Sequence, residues 1–129
     1  MILVDSSVWI DYFNGRRTPH TDRLDGLLGG EELLTGDLIV AEVLQGFRHD
    51  REFERARDAL EQLPYADMVG RELALTSAQN YRLLRQRGIT IRKTIDVMIA
   101  TFCIRNRHVL LHGDRDFAPM TAHLGLRTL

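Results

Sequence analysis

The sequence has a single cysteine, Cys103, in 129 residues. That count excludes a disulfide framework and a thiolate zinc cluster. Long apolar runs are missing too. None approaches the ~20 residues that a membrane-spanning helix needs, and no charged leader precedes an apolar stretch. Nor does charge of one sign dominate. Seventeen basic residues face eighteen acidic ones for a net charge of −1, so the chain carries neither a polybasic nor an acidic tail. Repeats, low-complexity segments and linkers are absent. The expectation is one globular domain over residues 1–129 in the cytosol, with a core drawn from the 44% apolar residues. Lysine is also scarce. Lys93 is the only one, and the other sixteen bases are arginine. Guanidinium forks match phosphate and carboxylate bidentately, although GC-rich coding gives the same bias.

What is present alternates. Met1–Val4 is a continuous apolar run, as in a buried parallel strand, and Asp5-Ser6-Ser7 supplies capping side chains for a helix through about Phe13. Further helices are predicted over 21–28, 38–47, 50–63, 70–87 and 94–106, with a short last one after Phe117. Strands are predicted at 33–35, 65–69 and 108–112. Apolar strands separated by helices predict a parallel sheet covered on both faces. In such sheets ligands gather beyond the carboxyl ends of the strands.

Five acids stand out against this pattern. Asp5 ends the first apolar strand, and Asp114 and Asp116 follow the last one. Glu42 lies inside Leu38-Ile39-Val40-Ala41-Glu42-Val43-Leu44, and Asp96 inside Ile95-Asp96-Val97-Met98-Ile99-Ala100. Taken singly, each has an ordinary explanation: a helix cap, the edge of an apolar stripe, an acid favoured by the helix dipole, a polar turn. Together they are harder to dismiss, because Asp and Glu are almost never buried unless paired, and converging carboxylates repel. A hard divalent cation, Mg2+ or Mn2+, removes the conflict through oxygen ligands. His20, His49, His108, His112 and His123 are scattered along the chain and show no metal-ligand spacing, so zinc is disfavoured. An all-carboxylate site suits phosphodiester hydrolysis with water as the nucleophile, by one ion or two. No P-loop is present, which argues against an ATP-driven reaction.

Four segments carry a resemblance. Val4-Asp5-Ser6-Ser7-Val8-Trp9-Ile10-Asp11, Ala41-Glu42-Val43-Leu44-Gln45-Gly46, Ile95-Asp96-Val97-Met98-Ile99-Ala100 and His112-Gly113-Asp114-Arg115-Asp116-Phe117 resemble, in order and spacing, the PIN-domain ribonucleases of the VapC type. The resemblance implies a three-layer α/β/α sandwich with a central parallel sheet. It implies a Mg2+- or Mn2+-dependent endoribonuclease, the toxin of a VapBC type II toxin–antitoxin pair. Such toxins cleave structured RNA (tRNA or rRNA) and thereby inhibit translation. It also implies a homodimer and a VapB antitoxin whose carboxy-terminal segment covers the site. The family's acidic quartet carries over to Asp5, Glu42, Asp96 and Asp114, with Asp116 supporting the metal and Ser6 as the small hydroxyl residue.

Arg92, Lys93 and Arg115 would place positive charge where RNA phosphate lies, or else form solvated turns. Trp9, Tyr12 and Phe13 are expected in the core or on a dimer surface, or stacked on a base or the antitoxin. Cys103 is expected to be buried and without a catalytic part. Two other classes compete. A phospho-acceptor signalling domain would want an acid pair after the first strand and a lysine after a late strand. Here Asp5 is followed by two serines, and the only lysine precedes Asp96. A catalytically silent interaction module would tolerate loss of the acids.

Overall fold

The computed structural model describes residues 1–30 and 32–129. Four strands, β1 (Ile2–Val4), β2 (Leu33–Gly36), β3 (Tyr65–Ala66) and β4 (Val109–Leu111), form one parallel sheet in the order β3-β2-β1-β4. Seven helices connect and cover them: α1 (Ser6–Phe13), α2 (Pro19–Leu27), α3 (Asp37–Leu44), α4 (Asp50–Glu61), α5 (Arg71–Gln86), α6 (Thr94–Asn106) and α7 (Ala118–Leu124). A 3₁₀ turn at Arg115–Phe117 leads into α7. The three-layer α/β/α sandwich expected from the sequence is the one observed.

The strand order decides where a site can form. The chain steps outward from β1 to β2 to β3, then crosses back to lay β4 on the other side of β1. Between β1 and β4 the winding reverses, and the sheet opens a crevice beyond its carboxyl ends. Asp5 and Asp114 leave the sheet on either side of that crevice. The backbone N–H of Asp5 donates to the carbonyl of Leu111 at 2.8 Å, so the ladder holds the two strand exits together.

Helix α1 packs against both α2 and α3, and α3 against α4, while α5, α6 and α7 form a second group. The core is built from Leu3, Val4, Leu33, Leu34, Leu110 and Leu111 of the sheet. Val8, Trp9, Ile39 and Val43 cover it from the first group, and Val97, Ile99, Phe102 and Met120 from the second. Helix α6 buries residues all round, Asp96 and Thr101 included, rather than along one stripe. A helix so enclosed is apolar for packing reasons, so a carboxylate within it needs a separate explanation. Among the described residues, no helix is long and apolar enough to cross a membrane.

Several boundaries differ from the sequence expectation. Helix α2 starts at Pro19 rather than Thr21, because Thr18 is its cap: the Thr18 hydroxyl accepts from the Thr21 N–H, and the Thr21 hydroxyl accepts from the Thr18 N–H. Helices α3 and α4 stop at Leu44 and Glu61, short of Phe47 and Leu63. Their last residues bond three positions back, Phe47 N–H to Leu44 and Leu63 N–H to Leu60, instead of four. Strand β3 spans two residues rather than five, because the Asp37 carboxylate takes the Met68 N–H at 3.0 Å and pulls the chain off the ladder.

Candidate functional site

Each acid is held by a local structural reason. Asp5 is the N-cap of α1, and its Oδ2 accepts from the Ser7 N–H at 3.1 Å and from the Ser7 hydroxyl at 2.5 Å. Asp114 is the cap of the 3₁₀ turn, with Oδ1 accepting from the Asp116 N–H at 2.9 Å. Asp96 lies in the first turn of α6, where the dipole favours negative charge, and is 4% exposed. Glu42 is half-buried on α3, and its Oε1 accepts from the Ser6 hydroxyl at 2.8 Å.

Asp96, Asp114 and Asp116 converge: each offers an oxygen, and the three lie within 4.8 Å of one another. Asp5 and Glu42 stand outside this trio but within its field, and both raise the proton affinity of Asp96. Burial does most, the Asp5 carboxylate comes next, Asp114 and Glu42 add, and Lys93 opposes; the result pushes Asp96 up to about 7. Burial also raises Asp5, partly offset by the two Ser7 bonds. It raises Glu42 as well, against the donor from Ser6. Three carboxyls that all resist ionisation mark a place short of positive charge.

Two oxygens sharpen the point. Asp5 Oδ1 and Asp96 Oδ2 are fully buried and accept no hydrogen bond. An unpartnered buried acceptor costs about 1–3 kcal/mol. A hard cation would satisfy both, and the donor set consists only of carboxylate oxygens, as Mg2+ and Mn2+ prefer. The residues present therefore fit such an ion.

The basic candidates behave differently from one another. Arg92 is not free: its Nη2 donates to Asp116 Oδ2 at 3.0 Å. Lys93 is exposed at the N-cap of α6, and its charge reaches Glu42 and Asp96. Arg115 is exposed and forms no ion pair among the described residues. Trp9 is buried and stacks on Phe13 at 5.6 Å, with Tyr12 edge-on, so the aromatic stripe begins in the core. Its outer edge reaches a groove of about 640 Å³ lined by Tyr12, Phe13, Phe47 and Arg55. Cys103 is buried, and burial pushes its thiol up to about 12, which leaves it inert.

Two features escape a linear reading. The histidines are not all scattered. His20, from α2, stacks on His112 at the end of β4, with centroids 6.5 Å apart and planes 19° from parallel. Ninety-one residues separate the two rings in the chain, and the fold brings them together. The His112 Nδ1 accepts from the Asp114 N–H at 3.2 Å, and burial, outweighing the nearby Asp5 carboxylate, lowers its basicity. The second feature is Ser7. Beyond its bonds to Asp5, its hydroxyl accepts from the Gly113 N–H at 3.2 Å, joining the start of α1 to the loop that carries Asp114. Its position two residues after a strand-ending acid was the available signal.

Comparisons with known proteins identify the fold and the family. The PIN domain family model matches residues 2–121. VapC ribonuclease Mb1587 of Mycobacterium bovis and ribonuclease VapC11 of Mycobacterium tuberculosis are each 31% identical over 122 residues, 91% of this chain and 89% of theirs. In structure the chain is similar to VapBC2 of Rickettsia felis bound to a DNA fragment from its promoter, with a TM-score of 0.79 and 17% identity; the alignment covers 100% of this chain and 98% of that one. It is also similar to Mycobacterium tuberculosis VapC20, described as a sarcin-ricin loop cleaving toxin, with a TM-score of 0.69 and 15% identity over 92% and 93% of the two chains. At such identities the structural likeness speaks for the fold, and the curated relatives speak for the family. The chain belongs to the PIN-domain family and, within it, to the VapC ribonucleases.

Proposed function

We propose that this ribonuclease is a single PIN domain spanning 1–129 that hydrolyses phosphodiester bonds inside structured RNA, tRNA or rRNA, with Mg2+ or Mn2+ as cofactor. By this reading it is the cytoplasmic toxin of a VapBC type II pair, forms a homodimer, inhibits translation, and is silenced by a VapB-type antitoxin. The observation that carries the chemistry is the pair of orphaned oxygens, Asp5 Oδ1 and Asp96 Oδ2, in a crevice with three further carboxylates. A structural scaffold has no use for that arrangement, because each orphan lowers stability. The description of VapC20 as a toxin that cleaves the sarcin-ricin loop supports an RNA target, and that of the Rickettsia felis VapBC2 complex supports an antitoxin partner.

In this reading Asp5, Glu42, Asp96 and Asp114 hold the ion, with Asp116 supporting. When bound, the ion supplies a water of lowered pKa and a positive charge near the scissile phosphate. The chain's own groups do the rest. Ser7 holds Asp5 through Oδ2 and leaves the buried Oδ1 unspent, and Ser6 holds Glu42 through Oε1. Lys93 and Arg115 stand exposed near the acids, and with Arg92 they offer guanidinium and ammonium donors to the RNA backbone. An antitoxin segment with a basic side chain would be drawn to the same uncompensated carboxylates.

The test is direct. Purified protein with Mn2+ or Mg2+ cuts tRNA or rRNA, EDTA stops it, and Asp5→Asn or Asp96→Asn lowers the rate on the order of 100-fold or more, as loss of an ion worth several kcal/mol requires. If both variants cut as fast as the parent, the assignment of these residues fails.

A further inference from the structure

We propose that Arg92 is a positioning residue that competes with the divalent cation for Asp116. The inference rests on the metal reading above and adds a second, internal occupant to the same carboxylates. Asp116 belongs to the converging trio, yet it is the only one of the three that forms an ion pair among the described residues. Its partner, the Arg92 guanidinium, lies 3.0 Å away.

The two ends of this pair are held differently. Asp116 is fixed: its N–H caps onto Asp114 Oδ1, the following Phe117 is fully buried, and its side chain is 20% exposed. Arg92 is tethered loosely. It sits in the segment between α5 and α6, and its side chain is 76% exposed. When the pair opens, therefore, it is the arginine that leaves.

Charge makes the exchange work in both directions. Without an ion, Asp96, Asp114 and Asp116 crowd together, and the guanidinium neutralises one of them. A divalent cation brings two positive charges to the same oxygens and repels the guanidinium. Released, Arg92 keeps all its N–H donors and stands at the rim beside Lys93, where an RNA phosphate approaches. Occupancy of the ion site and freedom of Arg92 are thereby linked, and linkage of this kind is reciprocal. A ligand that draws Arg92 away from Asp116 tightens the ion, and the ion frees Arg92 for that ligand.

Calorimetric titration with Mn2+ alone, without RNA, tests the idea on the parent, Arg92→Gln, Asp116→Asn and the double variant. Removing the competitor is expected to tighten Mn2+ binding about two- to fivefold, the scale of a partly exposed ion pair. In the Asp116→Asn background the same Arg92→Gln change is expected to have little further effect, because the contested carboxylate is gone. Equal or weaker binding by Arg92→Gln overturns the proposal, while Mn2+ binding to the parent leaves the metal site standing. An equal gain in both backgrounds also overturns it, since that result reports only the loss of a distant charge. Failure of the parent to bind Mn2+ at all overturns the metal reading and this inference with it.

Discussion

Asp96 pits stability against activity within one side chain. Burial and the surrounding carboxylates push it up to about 7, well above the 3.8 of an unstructured aspartate. Between those values the folded protein keeps a proton that the unfolded chain gives up. Folding is therefore favoured at the acid end of the window and loses ground as pH rises towards 7. In EDTA, the melting temperature of the parent is expected to fall between pH 5 and pH 8, and that of Asp96→Asn to stay flatter. The gap should be on the order of 5 °C at pH 8 in favour of the variant, measured by thermal unfolding at stepped pH. A catalytically crippled variant that melts higher is the signature of a residue kept for chemistry. Glu42 and Asp96 were conspicuous in the sequence because they interrupt apolar runs, and Asp5, Asp114 and Asp116 because they follow apolar strands. Of the two serines after Asp5, the resemblance singled out Ser6 and passed over Ser7; the division of labour between Ser6 on Glu42 and Ser7 on Asp5 came from the direction each takes off the first turn of α1.

At the level of elements, the junction of β2, β3 and α3 shows how tightly the site's neighbours are joined. Asp37 Oδ1 accepts from both the Leu38 N–H at 2.8 Å and the Met68 N–H at 3.0 Å, which tethers the start of α3 to the chain leaving β3. Gly36 makes the approach possible. A Cβ there would stand 2.6 Å from Met68 Cγ and Sδ and 2.7 Å from the Ala66 carbonyl oxygen, and backbone cannot move aside as a side chain can. Gly36→Ala is expected to destabilise the fold by about 1–3 kcal/mol, read as a lower urea midpoint with an unchanged slope. The helices and strands were legible because their apolar periodicities differ, and α6 begins and ends where the sequence places it. The ends of α3 and α4 were not legible. Gly46, two residues past Leu44, takes no left-handed φ, Pro64 comes three residues after Glu61, and the final turns simply tighten. The shortness of β3 was hidden for a similar reason, since the side chain that ends it lies thirty-one residues earlier.

On the scale of the molecule, Asp96, Asp114 and Asp116 come within 4.8 Å of one another, with Asp5 and Glu42 in their field, only when the sheet is assembled, so an ion that binds there binds the folded state alone. Millimolar Mn2+ should raise the melting temperature, by an amount equivalent to about 2–3 kcal/mol at a hundredfold excess over its dissociation constant. The gain should be larger at pH 8 than at pH 5.5, because at the lower pH the ion must first displace the proton on Asp96. Scanning calorimetry with and without metal at both pH values checks the size and the sign. That Asp96, Asp114 and Asp116 would gather could be read from their placement at a helix start and after a strand end, combined with the rule for parallel sheets. Their pairing with particular cations, and the stacking of His20 on His112, depended on the crossover that brings β4 back beside β1. That crossover also bears on biosynthesis. β1 is made before the β4 it pairs with, and a nascent chain lacks Asp114 and Asp116 until the segment after β4 has been made. A site that needs those acids is therefore assembled only after every strand of the sheet has been made.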